Sequence, residues 1–212
     1  MKLIQSKKQI FKNPEYVLVD NWFDSNKENR VWKELEFYTK DVNTIRAEDT
    51  VIATTEKGEP KGKHYRFYLD WYYRQDQRNV SDILTYNTNC LRDKEFQSTV
   101  LKKSPLFGRK FTDSNRNHSI VSYYEDADYY DTHIDSAMWT MLIWFFKEPK
   151  KFKGGDLILN DFETAFECKH NRMLLFPSHY EHSVTPISLA EEHKNKGMGR
   201  YTITNFITFV DV

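Results

Sequence analysis

Tyr123-Tyr124-Glu125-Asp126-Ala127-Asp128-Tyr129-Tyr130-Asp131-Thr132-His133-Ile134-Asp135 is the stretch whose reading decides the fold. Together with Ile120 and Val121 it is rich in β-branched and aromatic residues, and neither Gly nor Pro interrupts it, which predicts extended chain. In a strand the side chains at i and i+2 share a face, so His133 and Asp135 converge without further help from the fold. On a helix they would diverge. A lone His-x-Asp pair is also what a solvated strand end carries, so its weight depends on the residues downstream of it.

Two later segments supply that weight. Phe176-Pro177-Ser178-His179-Tyr180-Glu181-His182-Ser183-Val184-Thr185-Pro186 offers a further imidazole beside an apolar strand, and Arg200-Tyr201-Thr202-Ile203-Thr204-Asn205-Phe206 opens another strand on a guanidinium. His179 and His182 compete for the role of second imidazole. They lie an odd number of residues apart and face opposite ways in one strand, and His182 shares its face with Val184 and Pro186. Two imidazoles and a carboxylate, leaving half of an octahedron open, form the facial ligand set of non-haem Fe(II) oxygenases.

With these residues in view, the chain resembles the iron(II)- and 2-oxoglutarate-dependent dioxygenases, in particular their prolyl 4-hydroxylase-like branch. The resemblance rests on Tyr124, Tyr130, His133 and Asp135, Thr140-Met141-Leu142, Gly154-Gly155-Asp156-Leu157, Phe176-Pro177, His182 and Arg200, in that order and at the branch's rough spacing. It covers about the C-terminal half, from His118 onward. Two departures stand out: Trp144 replaces a Tyr that often contacts the cosubstrate, so it either reshapes that pocket or merely packs. The segment from Ser183 to Gly199, with its charged run Glu191-Glu192-His193-Lys194-Asn195-Lys196, is longer than in compact relatives and is expected to form a solvated loop near the site. Ala127 stands where the branch has a turn Gly.

The expected fold is mainly β with flanking helices, a double-stranded β-helix (jelly roll, cupin-like). Residues 1–212 are expected to form one domain, with N-terminal helices and supporting strands over 1–117 and a catalytic core over 118–212. At 212 residues the chain is long enough to bury a proper core. Lys+Arg and Asp+Glu both number 31, so no overall basic field draws in nucleic acid, and none is expected as a partner. Aromatics reach 16%, which suits a filled sheet core and an aromatic-lined pocket. Cys90 and Cys168 are too few for a disulfide framework and are read as reduced thiols of a cytoplasmic protein. Residues 1–8 lack the apolar run of a signal peptide, and no segment has the length of a membrane span.

Along the N-terminal half, residues 16–20 predict a strand, and Ser25-Asn26-Lys27-Glu28 has the form of a capping box opening a helix to about Thr39, with Val31, Leu35 and Tyr38 on one face. Val51–Thr55 and His64–Leu69 predict strands flanking a Gly- and Pro-containing charged loop over 56–63, which is either an ordinary exposed loop or, as the resemblance implies, a substrate lid. Ser81 is expected to cap a helix carrying Ile83, Leu84 and Cys90, with helical character running on to Leu101 and ending at Pro105. Residues 106–117 read as a linker. Trp139–Phe146 is a continuous apolar run expected as a strand buried on both faces. His64, His118, His170 and His193 have no such setting and are read as surface or structural.

The resemblance implies Fe(II) held by His133, Asp135 and His182, 2-oxoglutarate held by Arg200 through two parallel hydrogen bonds, O2 as oxidant and ascorbate as an accessory reductant. Tyr124 either donates a further hydrogen bond to the cosubstrate or packs in the core. The implied reaction is hydroxylation of a C–H bond with release of succinate and CO2. The retained Asp135 argues against halogenation. A prolyl or other residue of a peptide or protein is the first expected substrate, with a free amino acid or small metabolite second; the first predicts an open groove, the second a closed pocket with an extra charged residue. A non-catalytic jelly-roll module holding metal for stability, and Zn(II)-dependent hydrolysis, are the remaining alternatives.

Overall fold

The computed structural model describes residues 13–40 and 43–210, so the reading of residues 1–8 lies outside it. The chain runs β1 (Val17–Val19), α1 (Ser25–Tyr38), β2 (Ile45–Arg46), β3 (Gly62–Lys63), β4 (Tyr65–Tyr68), α2 (Leu69–Tyr72), α3 (Asp82–Arg92), α4 (Lys94–Lys103) and α5 (Gly108–Thr112). Then come β5 (Arg116–Tyr124), β6 (Tyr129–His133), β7 (Trp139–Phe145), β8 (Phe152–Lys153), β9 (Leu157–Leu159), β10 (Thr164–Phe166), β11 (Arg172–Pro177), β12 (His182–Val184), β13 (Ser188–Leu189) and β14 (Arg200–Thr208). A larger sheet is ordered β1-β11-β7-β14-β5-β4-β2 and a smaller one β10-β9-β12-β6-β3, with β13 and β8 a separate pair. The fold is mainly β with flanking helices, a cupin-like double-stranded β-helix.

Strand periodicity explains the layers. On β7, Trp139, Met141, Ile143 and Phe145 enter the core shared with the helices, whereas Leu142 and Trp144 enter the core between the sheets, where they join Leu174 and Phe176 of β11 and Leu157, Leu159 and Val184 of the smaller sheet. Every residue of β7 is buried, as the continuous apolar run requires. Val31, Leu35 and Tyr38 turn the apolar face of α1 onto the larger sheet, with Trp32 edge-on to Phe145 and Tyr201.

Several local expectations are corrected. The capping box at Ser25 does not form: Asp24 is the N-cap and accepts from the Asn26 and Lys27 amides, while Glu28 is drawn off by His170 and Asn171. A nearer carboxylate and a tertiary partner outcompete the local pairing. Val51–Thr55 is not a strand; its only ladder contact is a bridge from Thr54 to Pro60, since residues 54–60 turn back on themselves. Helical character does run from Ser81 past Phe96, but Asp93 breaks it in two by capping α4 through the Phe96 amide. The linker over 106–117 contains α5, held by burial of Phe111. The Tyr123–Asp135 stretch is not one continuous strand: Ala127 takes a positive φ of 62° and turns the chain from β5 in the larger sheet to β6 in the smaller one.

Ser81 caps α3 as expected and also donates to Glu34, whose carboxylate accepts from Tyr38 and from the Asp82 amide, stapling α1 to α3. Ser81→Ala is expected to lower stability by about 1–2 kcal/mol in denaturant titration, the range for losing a buried N-cap. An unchanged midpoint would mean that Glu34 caps the helix unaided.

Candidate active site

Register alone sets most of the site. β12 pairs with β6 so that His182 stands opposite His133, and β14 pairs with β5 so that Arg200 stands opposite Tyr124. Asp135 lies two residues beyond the end of β6, where the alternation rule no longer acts. Its amide donates to the Ser178 carbonyl at 3.0 Å, and its Oδ2 accepts from Thr140 Oγ1 at 2.6 Å. The carboxylate therefore reaches the two imidazoles from the β11 side: Oδ1 lies 3.7 Å from His133 Nε2 and Oδ2 3.4 Å from His182 Nε2.

The three side chains could hold one metal ion, with a ligand atom from each lying within 4.8 Å of the others. The Nδ1 of each imidazole is 2.8–2.9 Å from the carbonyl two residues upstream, Asp131 for His133 and Tyr180 for His182. A carbonyl can only accept, so these bonds fix the proton on Nδ1 and turn the Nε2 lone pair inward, as metal-binding histidines require. Burial, with His182 close by, pushes His133 down to about 4, so its ring is neutral near pH 7. Burial alone would raise Asp135, but His182, His133 and the Thr140 hydroxyl hold it below the usual carboxylate range. Stacking on Tyr130 at 3.6 Å and edge contact with Phe176 at 4.9 Å fix the two rings in place.

Arg200 is 1% exposed, and its Nε and Nη1 find no hydrogen-bond partner among the described residues. A buried guanidinium left this way needs an anion, and a dicarboxylic acid fits the donor set. Gly155 makes room for it, since a Cβ there would lie 2.6 Å from Ile187 and 3.0 Å from Arg200 Cδ. Tyr124 lies under the guanidinium, 4.7 Å from ring centroid to Cζ; burial raises its hydroxyl against the pull of Arg200, keeping it a donor. Trp144 is fully buried with Cζ of Arg200 5.9 Å from its ring, and is not on the cavity wall.

These groups share a cavity of about 510 Å³ between the sheets. Its wall also carries His64, Arg66 and Tyr68, which sequence reasoning left out of the site. His64 stacks on Tyr124 at 4.5 Å and is neutral, lowered far below its ordinary value by burial and by Arg66 and Arg200. Arg66 Nε donates to His64 Nε2 at 2.9 Å, so the His64 proton sits on Nδ1, which has no partner among the described residues. The signal was present as His64-x-Arg66-x-Tyr68, a polar face alternating with Tyr65 and Phe67. His118 lies farther along the same wall, with Nδ1 3.2 Å from Asp70. His179 turns out of the cavity onto Phe107, and His170 and His193 lie away from it. The charged loop over 56–61 is not on the wall; Val51, Ile52 and Ala53 before it are, while Lys61 ties the loop to Thr132 and Asp131. No helix among the described residues is long and apolar enough to cross a membrane.

The sequence model of the 2OG-Fe(II) oxygenase superfamily matches residues 119–208. A PKHD-type hydroxylase of Gloeothece citriformis is 30% identical over 122 residues, 53% of this chain and 53% of that protein, and one of Idiomarina loihiensis is 29% identical over 76 residues, 32% and 35%. The chain thus spans about half the length of the first and a third of the second. Among solved structures, a Pseudomonas putida prolyl-4-hydroxylase superposes with a TM-score of 0.63 at 13% identity, covering 93% of this chain and 94% of that one. A Trichoplax adhaerens prolyl hydroxylase in complex with a hypoxia inducible factor peptide fragment gives 0.55 at 14% identity, covering 92% and 84%.

Proposed function

We infer from residues 119–208, which match the sequence model of the 2OG-Fe(II) oxygenase superfamily, that the chain is a member of it, an Fe(II)- and 2-oxoglutarate-dependent dioxygenase hydroxylating a C–H bond of an organic substrate. The observation that carries the reading is the pairing of two incomplete sites in one cavity: three inward-turned ligand atoms, and a buried guanidinium without an anion. Neither a structural metal site nor a Zn(II) hydrolase has a use for the second.

In this reading His133, Asp135 and His182 would hold Fe(II), and their carbonyl and hydroxyl partners keep the ligand atoms oriented. Arg200 takes the distal carboxylate of 2-oxoglutarate with Tyr124 donating beside it. When bound, the iron supplies the coupling of O2 reduction and 2-oxoglutarate decarboxylation to insertion of one oxygen atom into the substrate, with succinate and CO2 as coproducts. Leu142, Leu157 and Val184 keep the surrounding wall dry.

A prolyl residue in a peptide is one substrate supported by the fold neighbours, one of which holds a peptide fragment. A free amino acid or small acid is supported by an observation on this chain, the extra buried cation Arg66 on the cavity wall. The test is to load the full chain with Fe(II) anaerobically, add 2-oxoglutarate, ascorbate and air, and assay succinate with prolyl peptides, free amino acids and small acids in turn. Succinate equal to 2-oxoglutarate consumed, and rising several-fold with one substrate class, is the expected result. Iron uptake without any 2-oxoglutarate binding would turn the reading to a non-catalytic module.

A further inference from the structure

Among the described residues the cavity wall carries two arginines, Arg200 and Arg66, and one carboxylate, Asp135. His64 is neutral, since its Nε2 accepts from Arg66 Nε, and burial holds His118 toward its neutral form. With a dication at the three ligands the wall totals three positive charges, of which 2-oxoglutarate, a dianion, offsets two. One positive charge remains, and a buried charge without a counter-ion is costly. A carboxylate of a bound molecule, placed beside the unpaired cation, would offset it.

Arg66 marks where that anion sits. It is 8% exposed, and among the described residues no carboxylate pairs with it. Its contacts are all to neutral groups: Nε to His64 Nε2 at 2.9 Å, Nη1 to the Val51 carbonyl at 3.3 Å and, more weakly, to the Tyr68 hydroxyl at 3.4 Å. The guanidinium lies 5.5 Å from the Tyr130 ring centroid, and that ring stacks on His133, so Arg66 stands one aromatic ring away from the ligand cluster. Contacts run from Arg66 to Arg200 through two rings: His64 accepts from Arg66 Nε and stacks on Tyr124, which lies under the Arg200 guanidinium.

We propose that Arg66 holds a carboxylate of the prime substrate, which is therefore a small carboxylic or amino acid, or a peptide presenting its C-terminal carboxylate, and not an internal residue of a neutral peptide. This rests on the dioxygenase reading above. A planar guanidinium whose contacts are all neutral favours a carboxylate for its two-pronged geometry. Arg66 would hold the acid end against the Tyr68 side of the wall and leave the chain of the substrate to run past Tyr130 toward the three ligands. The cavity, about 510 Å³ for substrate and cosubstrate together, suits a short molecule.

The test is calorimetric and needs no turnover. The full chain, loaded anaerobically with Fe(II) and 2-oxoglutarate, is titrated with cyclopentanecarboxylate, L-proline, L-prolinamide, and a Gly-Pro dipeptide with either a free or an amidated C-terminus. Expected are carboxylates binding at least about tenfold tighter than the matching amides, and Arg66→Gln removing that preference while 2-oxoglutarate binding stays within about twofold. Arg66→Lys, which keeps the charge and loses the fork, should fall between. The free acid against the dipeptide separates the two sources of the carboxylate. The amide comparison is made on the wild type, so a poorly folded Arg66→Gln does not shield the idea. Equal binding of acids and amides, or no binding of any carboxylate to a chain that has taken up 2-oxoglutarate, overturns the proposal. So does a loss of 2-oxoglutarate affinity in Arg66→Gln as large as that of the acids, which would make Arg66 part of the cosubstrate clamp. A wild type that takes up no 2-oxoglutarate overturns the dioxygenase reading instead, and the proposal falls with it.

Discussion

Asp135→Ala is expected to weaken divalent-metal binding by more than about 100-fold. Asp135 is the only carboxylate on the cavity wall among the described residues, and without it a dication would meet two imidazoles and the fields of Arg66 and Arg200. The size follows by comparison with the residue that orients it. Thr140 Oγ1 bonds Asp135 Oδ2 at 2.6 Å and Ser178 Oγ at 2.8 Å, and loss of such an outer partner typically costs about 10–100-fold in metal affinity. Thr140→Val should fall in that range, and the ligand itself must cost more. Asp135→Asn separates charge from shape: the amide keeps the volume and the contact with Thr140, so an affinity as poor as that of the alanine variant assigns the loss to the missing charge. Anaerobic titration with Fe(II), or with Mn(II) as a redox-stable ion, followed by calorimetry, reads all three. Wild-type affinity in Asp135→Ala would place the metal elsewhere and remove the basis of the dioxygenase reading.

The way Asp135 is held also shows what the sequence does and does not reveal. His133 and His182 are legible because strand alternation and the flanking apolar residues put them on an inner face, and the same rule separates His182 from His179. Arg200 is legible as the first residue of a strand whose alternate members line the cavity. For Asp135 strand alternation is an incomplete reason: it lies past the strand end, and its orientation comes from Ser178 and Thr140, brought in by the pairing of β11 with β7. No local pattern contains that partnership. Arg66 was missed for a related reason. Its alternation with Phe67 was visible, but which face of β4 meets the cavity is set by pairing with β5, Arg66 standing opposite Ser122, and that register is a long-range fact. The capping box failed at Ser25 because Asp24 and His170 offered better partners than the local ones. Buried periodic elements were thus readable, and the polar partners that finish caps, turns and ligand orientation were settled by residues far away in the chain.

Arg200→Gln should raise the 2-oxoglutarate concentration needed for half-maximal succinate formation by at least about thirtyfold, with metal affinity little changed. The guanidinium has no partner for Nε or Nη1 among the described residues, so the cosubstrate carboxylate would meet donors that are already desolvated and aimed. Truncating one partner of a buried, hydrogen-bonded charge pair costs about 2–5 kcal/mol, and the lower end of that range is about thirtyfold in affinity. Arg200→Lys tests geometry against charge: an ammonium keeps the charge but cannot form two parallel hydrogen bonds, so partial recovery is expected, not wild-type behaviour. The stability of the free chain should move the other way. Removing an unpaired buried cation relieves a desolvation cost, so Arg200→Gln should unfold at the same or higher denaturant than the wild type in the absence of ligands, and 2-oxoglutarate should stabilise it less. A structural role for Arg200 predicts the opposite pair: a large loss of stability with an unchanged cosubstrate requirement. Measuring both on one protein preparation therefore decides whether this guanidinium holds the fold or waits for an acid.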